Sequence, residues 1–226
     1  MAQLIVAMDF PSAEELLNCA QKISGTVSWC KVGLEAFVLE GPTLVSRLED
    51  MGFSVFLDLK YYDIPNTVAA AVRTAARTGA KLLTIHTQGG EAMCRKAVEA
   101  AKEAGASRPL IFGVTCLTSF ADGQMPGISA PVSDFARQLA AKADSWGLDG
   151  VVCSGQEAGF VKQNTSLMAL CPGIRPAGSD VNDQARVVTP AMAVKAGADF
   201  LVVGRPITRA ADPAGAAAAI LEEMGC

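Results

Sequence analysis

Apolar positions in this chain fall into short runs rich in Val, Ile, Leu and Phe, at residues 4–9, 28–33, 54–60, 82–86, 110–115, 150–154, 167–171 and 200–204. Most runs are continuous rather than alternating, the pattern of strands covered on both faces. Between them lie Ala-rich segments whose apolar residues recur at helical spacing, as at 67–78 and 90–104. Several of these segments stop at a glycine and pass into the next run: Thr78-Gly79-Ala80, Ala104-Gly105-Ala106 and Ala196-Gly197-Ala198. Eight strand–helix units in 226 residues average about 28 residues each, enough for an α/β fold of the (β/α)8 TIM barrel type and little more. An open doubly wound sheet would use fewer strands, and no Gly-x-Gly-x-x-Gly follows the first run. No linker or shift of composition divides the chain, so residues 1–226 read as a single barrel domain. The Gly- and Pro-rich stretches 117–130 and 172–183 fit long loops after strands five and seven, on the face where such barrels carry their sites.

Composition narrows the partners. Half the residues are hydrophobic and mean hydropathy is +0.30, which excludes a disordered chain. Lys and Arg number 19 against 23 Asp and Glu, for a net charge of −4; duplex nucleic acid, which needs a basic field, is not an expected partner. Small anions remain suitable ligands, because a few local cations outweigh a mild global charge. Seven cysteines (Cys19, Cys30, Cys94, Cys116, Cys153, Cys171 and Cys226) include no Cys-x-x-Cys pair, so buried inert thiols in a reducing compartment are expected. The lone His86 excludes a His-rich zinc site. The apolar run Leu4 to Met8 is too short for a signal-peptide core, and no stretch nears the roughly 18 apolar residues of a membrane span. A soluble, cytoplasmic protein with no membrane partner is expected.

The informative charges stand where a core should be. Asp58 and Lys60 lie two apart at the end of an apolar strand, so both face one side. If that side is the barrel interior, a carboxylate and an ammonium project together into its mouth; a structural ion pair at a strand end is the alternative. Asp9 closes strand one, Lys31 sits within strand two, and Asp63 follows strand three. Burying such charges is costly without pairing or function, which makes Lys31, Asp58, Lys60 and Asp63 an alternating array and a candidate active site. After strand eight, Gly204-Arg205-Pro206 places a glycine N–H and a guanidinium where barrels of this type cradle phosphate; a plain turn with a surface arginine is the other reading.

Taken together, these segments resemble the orotidine 5'-monophosphate decarboxylase family. Asp58-Leu59-Lys60-Tyr61-Tyr62-Asp63-Ile64-Pro65-Asn66-Thr67 is similar to that family's Asp-x-Lys-x-x-Asp-Ile-Pro-x-Thr signature. Ala7-Met8-Asp9, Lys31-Val32-Gly33-Leu34-Glu35, Pro172-Gly173-Ile174-Arg175-Pro176 and Val203-Gly204-Arg205-Pro206-Ile207-Thr208 support it across all eight strands. Tyr62 departs from a common His, outside the charged array. His86 falls in a His-Thr-Gln-Gly-Gly segment similar to the family's His-Ala-x-Gly-Gly and is given no catalytic role.

The resemblance implies decarboxylation of orotidine 5'-monophosphate to UMP, in pyrimidine biosynthesis, with no metal or organic cofactor. It makes Lys60 the proton donor and sets Asp58 beside the substrate carboxylate. It gives Lys31 and Asp9 the ribose, and Thr118 the pyrimidine. Residues 175–186 resemble a closing phosphate loop, with Arg175 on it and Gln184, Gly204 and Arg205 at the 5'-phosphate. Asp63 and Thr67 are expected to reach into a neighbouring subunit, making a homodimer with shared sites. The nearest alternative is a sugar-phosphate relative such as 3-keto-gulonate 6-phosphate decarboxylase, which shares Asp-x-Lys-x-x-Asp but uses Mg2+ and an acidic residue on strand two, where this chain has Lys31. A catalytically inert barrel that only binds nucleotides is the alternative of another class.

Overall fold

A computed structural model describes residues 1–176 and 188–225. Its strands are β1 (Gln3–Ala7), β2 (Trp29–Val32), β3 (Ser54–Tyr61), β4 (Leu82–His86), β5 (Leu110–Val114), β6 (Gly150–Val152), β7 (Met168–Cys171) and β8 (Phe200–Val203). They pair in parallel, each with the next in sequence, and β1 closes on β8 with Leu4 beside Leu201 and Val6 beside Val203. The result is a closed eight-stranded (β/α)8 barrel. The helices outside it are α1 (Ala13–Ile23), α2 (Leu34–Glu40), α3 (Pro42–Asp50), α4 (Pro65–Ala76), α5 (Gly90–Lys102), α6 (Val132–Ser145), α7 (Ala158–Asn164), α8 (Pro190–Lys195), α9 (Arg205–Thr208) and α10 (Pro213–Met224).

Local chemistry sets the boundaries. The Ser12 hydroxyl accepts from the Glu15 N–H and donates to the Glu15 carboxylate, starting α1 with a side-chain cap. Helix α4 starts two residues earlier than its apolar periodicity suggests. Pro65 occupies its first turn, where a missing N–H costs nothing, and forces Ile64 into extended backbone (ψ 149°). Gly79 and Gly197 have positive φ (92° and 94°), the left-handed turn that lets each helix stop and the chain enter the next strand; Gly105 (φ 63°) instead opens a single 3-10 turn, Gly105–Ser107, before β5.

Two apolar layers follow from the alternation of each strand. Val6, Val32, Leu57, Leu83 and Val203 face outward into the core shared with the helices. Ile5, Phe56, Leu82, Phe112, Leu170 and Phe200 face inward and fill the barrel. Phe200 makes edge contacts with Trp29 and Phe112, at centroid distances of 5.4 and 5.9 Å, so aromatic rings plug the lower barrel. Lys31, Asp58 and Thr84 are in phase with Trp29, Phe56 and Leu82, so the same alternation turns charge inward one step higher. Cys19, Cys30, Cys94, Cys116, Cys153 and Cys171 are buried and form no disulfide. Burial pushes the Cys30 and Cys94 thiols up to about 12, in keeping with inert thiols. Among the described residues, no helix is long and apolar enough to cross a membrane.

Gly150 shows how tightly the interior is filled. A Cβ there would lie 2.4 Å from Cε1 of Phe112 and 2.7 Å from the Met168 carbonyl oxygen, and the backbone oxygen cannot move aside. Gly150→Ala is therefore expected to destabilise the fold by about 1–3 kcal/mol. Urea unfolding checks this: an unchanged midpoint and slope would mean the interior can absorb a methyl group at β6.

Candidate active site

The site grows from an irregularity between β3 and β4. Leu57 pairs with Leu83, but the next registered pair is Tyr61 with Ile85. Asp58, Leu59 and Lys60 therefore stand against Thr84 alone, a bulge that crowds side chains ordinarily spread along a strand. Lys60 adopts φ 50° and, among the described residues, is the only non-glycine with positive φ. Such strain persists where the surroundings over-determine it. Here the Lys60 N–H donates to Thr84 Oγ1 (3.0 Å), and Thr84 Oγ1 donates to Asp58 Oδ1 (2.9 Å).

The charges interlock. Lys60 Nζ donates to Asp58 Oδ2 at 2.8 Å, Lys31 Nζ lies 3.8 Å from the same oxygen, and Lys31 Nζ donates to Asp9 Oδ1 at 3.0 Å. The sequence Asp9–Lys31–Asp58–Lys60 alternates in sign, so each inner charge lies between two of the opposite kind. Only Lys31 and Asp58 are buried; Lys60 is half-buried and Asp9 exposed. Burial thus falls off along the chain of charges, because β1 stops at Ala7 and leaves Asp9 at the rim. Gly33 makes room for the pairing: a Cβ there would lie 2.8 Å from Lys31 Nζ and 3.0 Å from Asp9 Oδ1.

Two cavities meet at Lys31, Pro172 and Val202. One is a slot of about 150 Å3 in the barrel mouth, walled by Phe56, Val114 and Leu117, with Asp58, Lys60 and Thr118 on its lining. The other is a basin of about 610 Å3 that includes Asp9, Gly173, Arg175, Gly204, Arg205 and Arg209. An apolar slot suits a flat ring, and clustered guanidiniums suit an anion. Arg175 is buried at 7% exposure, with Nη1 donating to the Ile174 carbonyl. Gly204 leads β8 into α9, and a Cβ there would make only ordinary contact with Ala7, at 3.4 Å.

The structure thus gathers Asp9, Lys31, Asp58, Lys60, Thr118, Arg175, Gly204 and Arg205 at two contiguous cavities. It does not bring Asp63 or Thr67 to them within one chain. Both are exposed, and Asp63 Oδ1 accepts from the Ile64 N–H at 2.6 Å. Gln184 lies outside the described residues. Thr84 and Gly33 were not singled out by sequence reasoning for any role here. The available signal for Thr84 was a hydroxyl in the interior phase of the otherwise apolar Leu82-Leu83-Thr84-Ile85.

His86 borders this region, its ring 5.4 Å from that of Tyr62. Burial lowers its pKa first and the Lys60 charge second, with Asp58 opposing. A folded-state pKa below the unfolded value of about 6.5 stabilises the fold above that pH, and the contribution is lost as pH falls through the folded value. We expect His86→Asn to lose less Tm than the parent between about pH 7.5 and pH 5. Equal losses in a thermal melt would show that His86 titrates alike folded and unfolded.

Comparison with known proteins finds relatives along the whole chain. The family model described as Orotidine 5'-phosphate decarboxylase / HUMPS family matches residues 2–220. An orotidine 5'-phosphate decarboxylase of Nitratidesulfovibrio vulgaris (strain DP4) is 54% identical over 230 residues, covering 99% of this chain and 98% of its own. The solved orotidine 5'-phosphate decarboxylase from Lactobacillus acidophilus superposes over 100% of both chains with a TM-score of 0.88 and 34% identity. That from Pyrococcus horikoshii OT3 does so over 99% of both, with a TM-score of 0.78 and 27% identity. With a family match over nearly its whole length and a relative more than half identical, the chain belongs to the orotidine 5'-phosphate decarboxylase / HUMPS family.

Proposed function

We propose that this chain decarboxylates orotidine 5'-monophosphate to UMP in pyrimidine biosynthesis, as a cytoplasmic homodimer and without a metal or organic cofactor. The observation that carries the reading is the alternating Asp9–Lys31–Asp58–Lys60 chain at the join of an apolar slot and an arginine-bearing basin. The pyrimidine occupies the slot beside Leu117 and Thr118. The ribose lies along Lys31 and Asp9, and the 5'-phosphate meets Arg205, the Gly204 backbone and Arg175, with Gln184 expected to join them.

The chemistry explains the charges. Breaking the bond between C6 and the carboxylate leaves the electron pair in an in-plane orbital that the ring π system cannot absorb. Stabilisation must come from charge already in place. The Lys60 ammonium faces that developing charge and gives its proton to C6 as CO2 departs; the neutral amine then regains a proton from water. Asp58 holds the ammonium in position and sets a like charge beside the substrate carboxylate. One lysine cannot supply an acceleration of the size that reaches roughly 23 kcal/mol at the top of the typical enzyme range. Binding of the remote phosphate contributes through loop closure and so bears on kcat as well as KM.

Support for the cofactor-free reading is the state of the carboxylates: Asp9 and Asp58 are both engaged by ammonium groups, and a divalent cation there would meet two positive charges. Support for the shared site is the placement of Asp63 and Thr67 outside their own cavities. Tyr62 and Ile64, the chain neighbours of Asp63, are exposed at 62% and 66%, apolar surface that a second copy would cover.

The direct test follows the loss of orotidine 5'-monophosphate absorbance in EDTA. The parent should turn over fully, and Lys60→Ala should fall by at least about 10^3-fold while still binding UMP. Near-normal turnover by Lys60→Ala would remove the donor assignment, and activity that needs added Mg2+ would favour the sugar-phosphate reading. For the shared site, inactive Asp63→Ala and Lys60→Ala homodimers should regain activity on mixing, since each heterodimer assembles one intact site. Verified heterodimers without activity would refute sharing.

A further inference from the structure

We propose that Thr84 is a positioning residue, a single buried hydroxyl that sets both the backbone of Lys60 and the carboxylate of Asp58 for proton delivery. The inference rests on the assignment of Lys60 as the donor. Thr84 is fully buried at 0% exposure and stands alone opposite Asp58, Leu59 and Lys60 of the bulge. The bulge takes the Lys60 N–H out of regular pairing with β4, and a buried donor left without a partner is costly. Thr84 Oγ1 accepts from it at 3.0 Å, and so helps to hold Lys60 at φ 50°.

The direction of the second bond follows from the first. A backbone N–H can only donate, so the one hydroxyl proton of Thr84 goes to Asp58 Oδ1, at 2.9 Å. That bond fixes the rotation of the carboxylate and divides its oxygens. Oδ1 is held by β4, and Oδ2 is left facing Lys60 Nζ at 2.8 Å and Lys31 Nζ at 3.8 Å. Lys60 is thus located twice through one oxygen atom, by its own main chain and by the partner of its ammonium. A valine at 84 would keep the shape and the strand preference and would lose both bonds.

The test compares Thr84→Val, Thr84→Ser and Lys60→Ala by kcat, KM and UMP affinity. Thr84→Val should lower kcat by about 10- to 100-fold with KM and UMP binding within about threefold of the parent, and Thr84→Ser should recover kcat to within about threefold. A role confined to stability would instead lower Tm and leave kcat per UMP-binding site unchanged. Should valine prevent folding, Thr84→Cys offers a similar size and a weaker donor, and its kcat should fall between those of Thr84→Ser and Lys60→Ala. Parental kcat in Thr84→Val, or in Thr84→Cys, with Lys60→Ala inactive would overturn the positioning role alone. Turnover by Lys60→Ala would overturn the donor assignment and this inference with it.

Discussion

A carboxylate facing the inside of a barrel whose lower layers are aromatic and aliphatic loses hydration, and the protein must meet its oxygens instead. Asp58 is such a group. Oδ1 takes the Thr84 hydroxyl, and Oδ2 faces the ammonium groups of Lys60 and Lys31. Each ammonium in turn needs an anion, and Lys31 finds its second in Asp9 at the rim. The arrangement propagates outward from one buried carboxylate until it reaches water, which is why the charges alternate. Removing an inner member would strand its neighbours in a poorly solvated place, a far larger penalty than losing a surface ion pair.

The same constraint ties fold to site. Strand alternation directs Phe56 and Asp58 to one side, so the residues that fill the barrel and those that charge its mouth belong to one row per strand. Regular pairing would then carry Lys60 a full step beyond Asp58. The bulge shortens that step at the cost of a strained backbone at Lys60. The basin lies beside the slot because β8 leads through Gly204 directly into Arg205, and β7 leads through Pro172 and Gly173 to Arg175. The anion binding and ring binding proposed for these cavities would therefore rest on adjacent strand ends.

Much of this was legible in the sequence because it depends on period. Continuous apolar runs separated by helical segments gave all eight strands to within a few residues, and the two-residue spacing of Asp58 and Lys60 gave their common side. What was not legible depends on register between strands distant in sequence. The pairing of Leu57 with Leu83 and of Tyr61 with Ile85 leaves no trace in either segment, so neither the bulge nor the double role of Thr84 could be read. Nothing in the sequence marks the space that Gly33 leaves; only the packed Lys31–Asp9 pair shows what a Cβ would displace. Asp63 reads as a fourth member of the array, yet the turn from β3 into α4 directs it to its own neighbour's N–H and to the surface.

The charge balance of the array bears on how the proposed reaction would reset. Within one chain, Asp9 and Asp58 match Lys31 and Lys60, and the pairs are complete before substrate arrives. The substrate's carboxylate adds one negative charge beside Asp58. Its loss as CO2, with transfer of the Lys60 proton to C6, removes that charge and one positive charge together. Asp58 is then left with the Thr84 hydroxyl and with Lys31, whose Nζ is 3.8 Å away and already committed to Asp9 at 3.0 Å. An under-compensated carboxylate next to a neutral amine favours return of a proton to that amine. In the proposed reaction, the interaction that holds Lys60 in place for the chemical step would therefore also be the one that restores its proton afterwards.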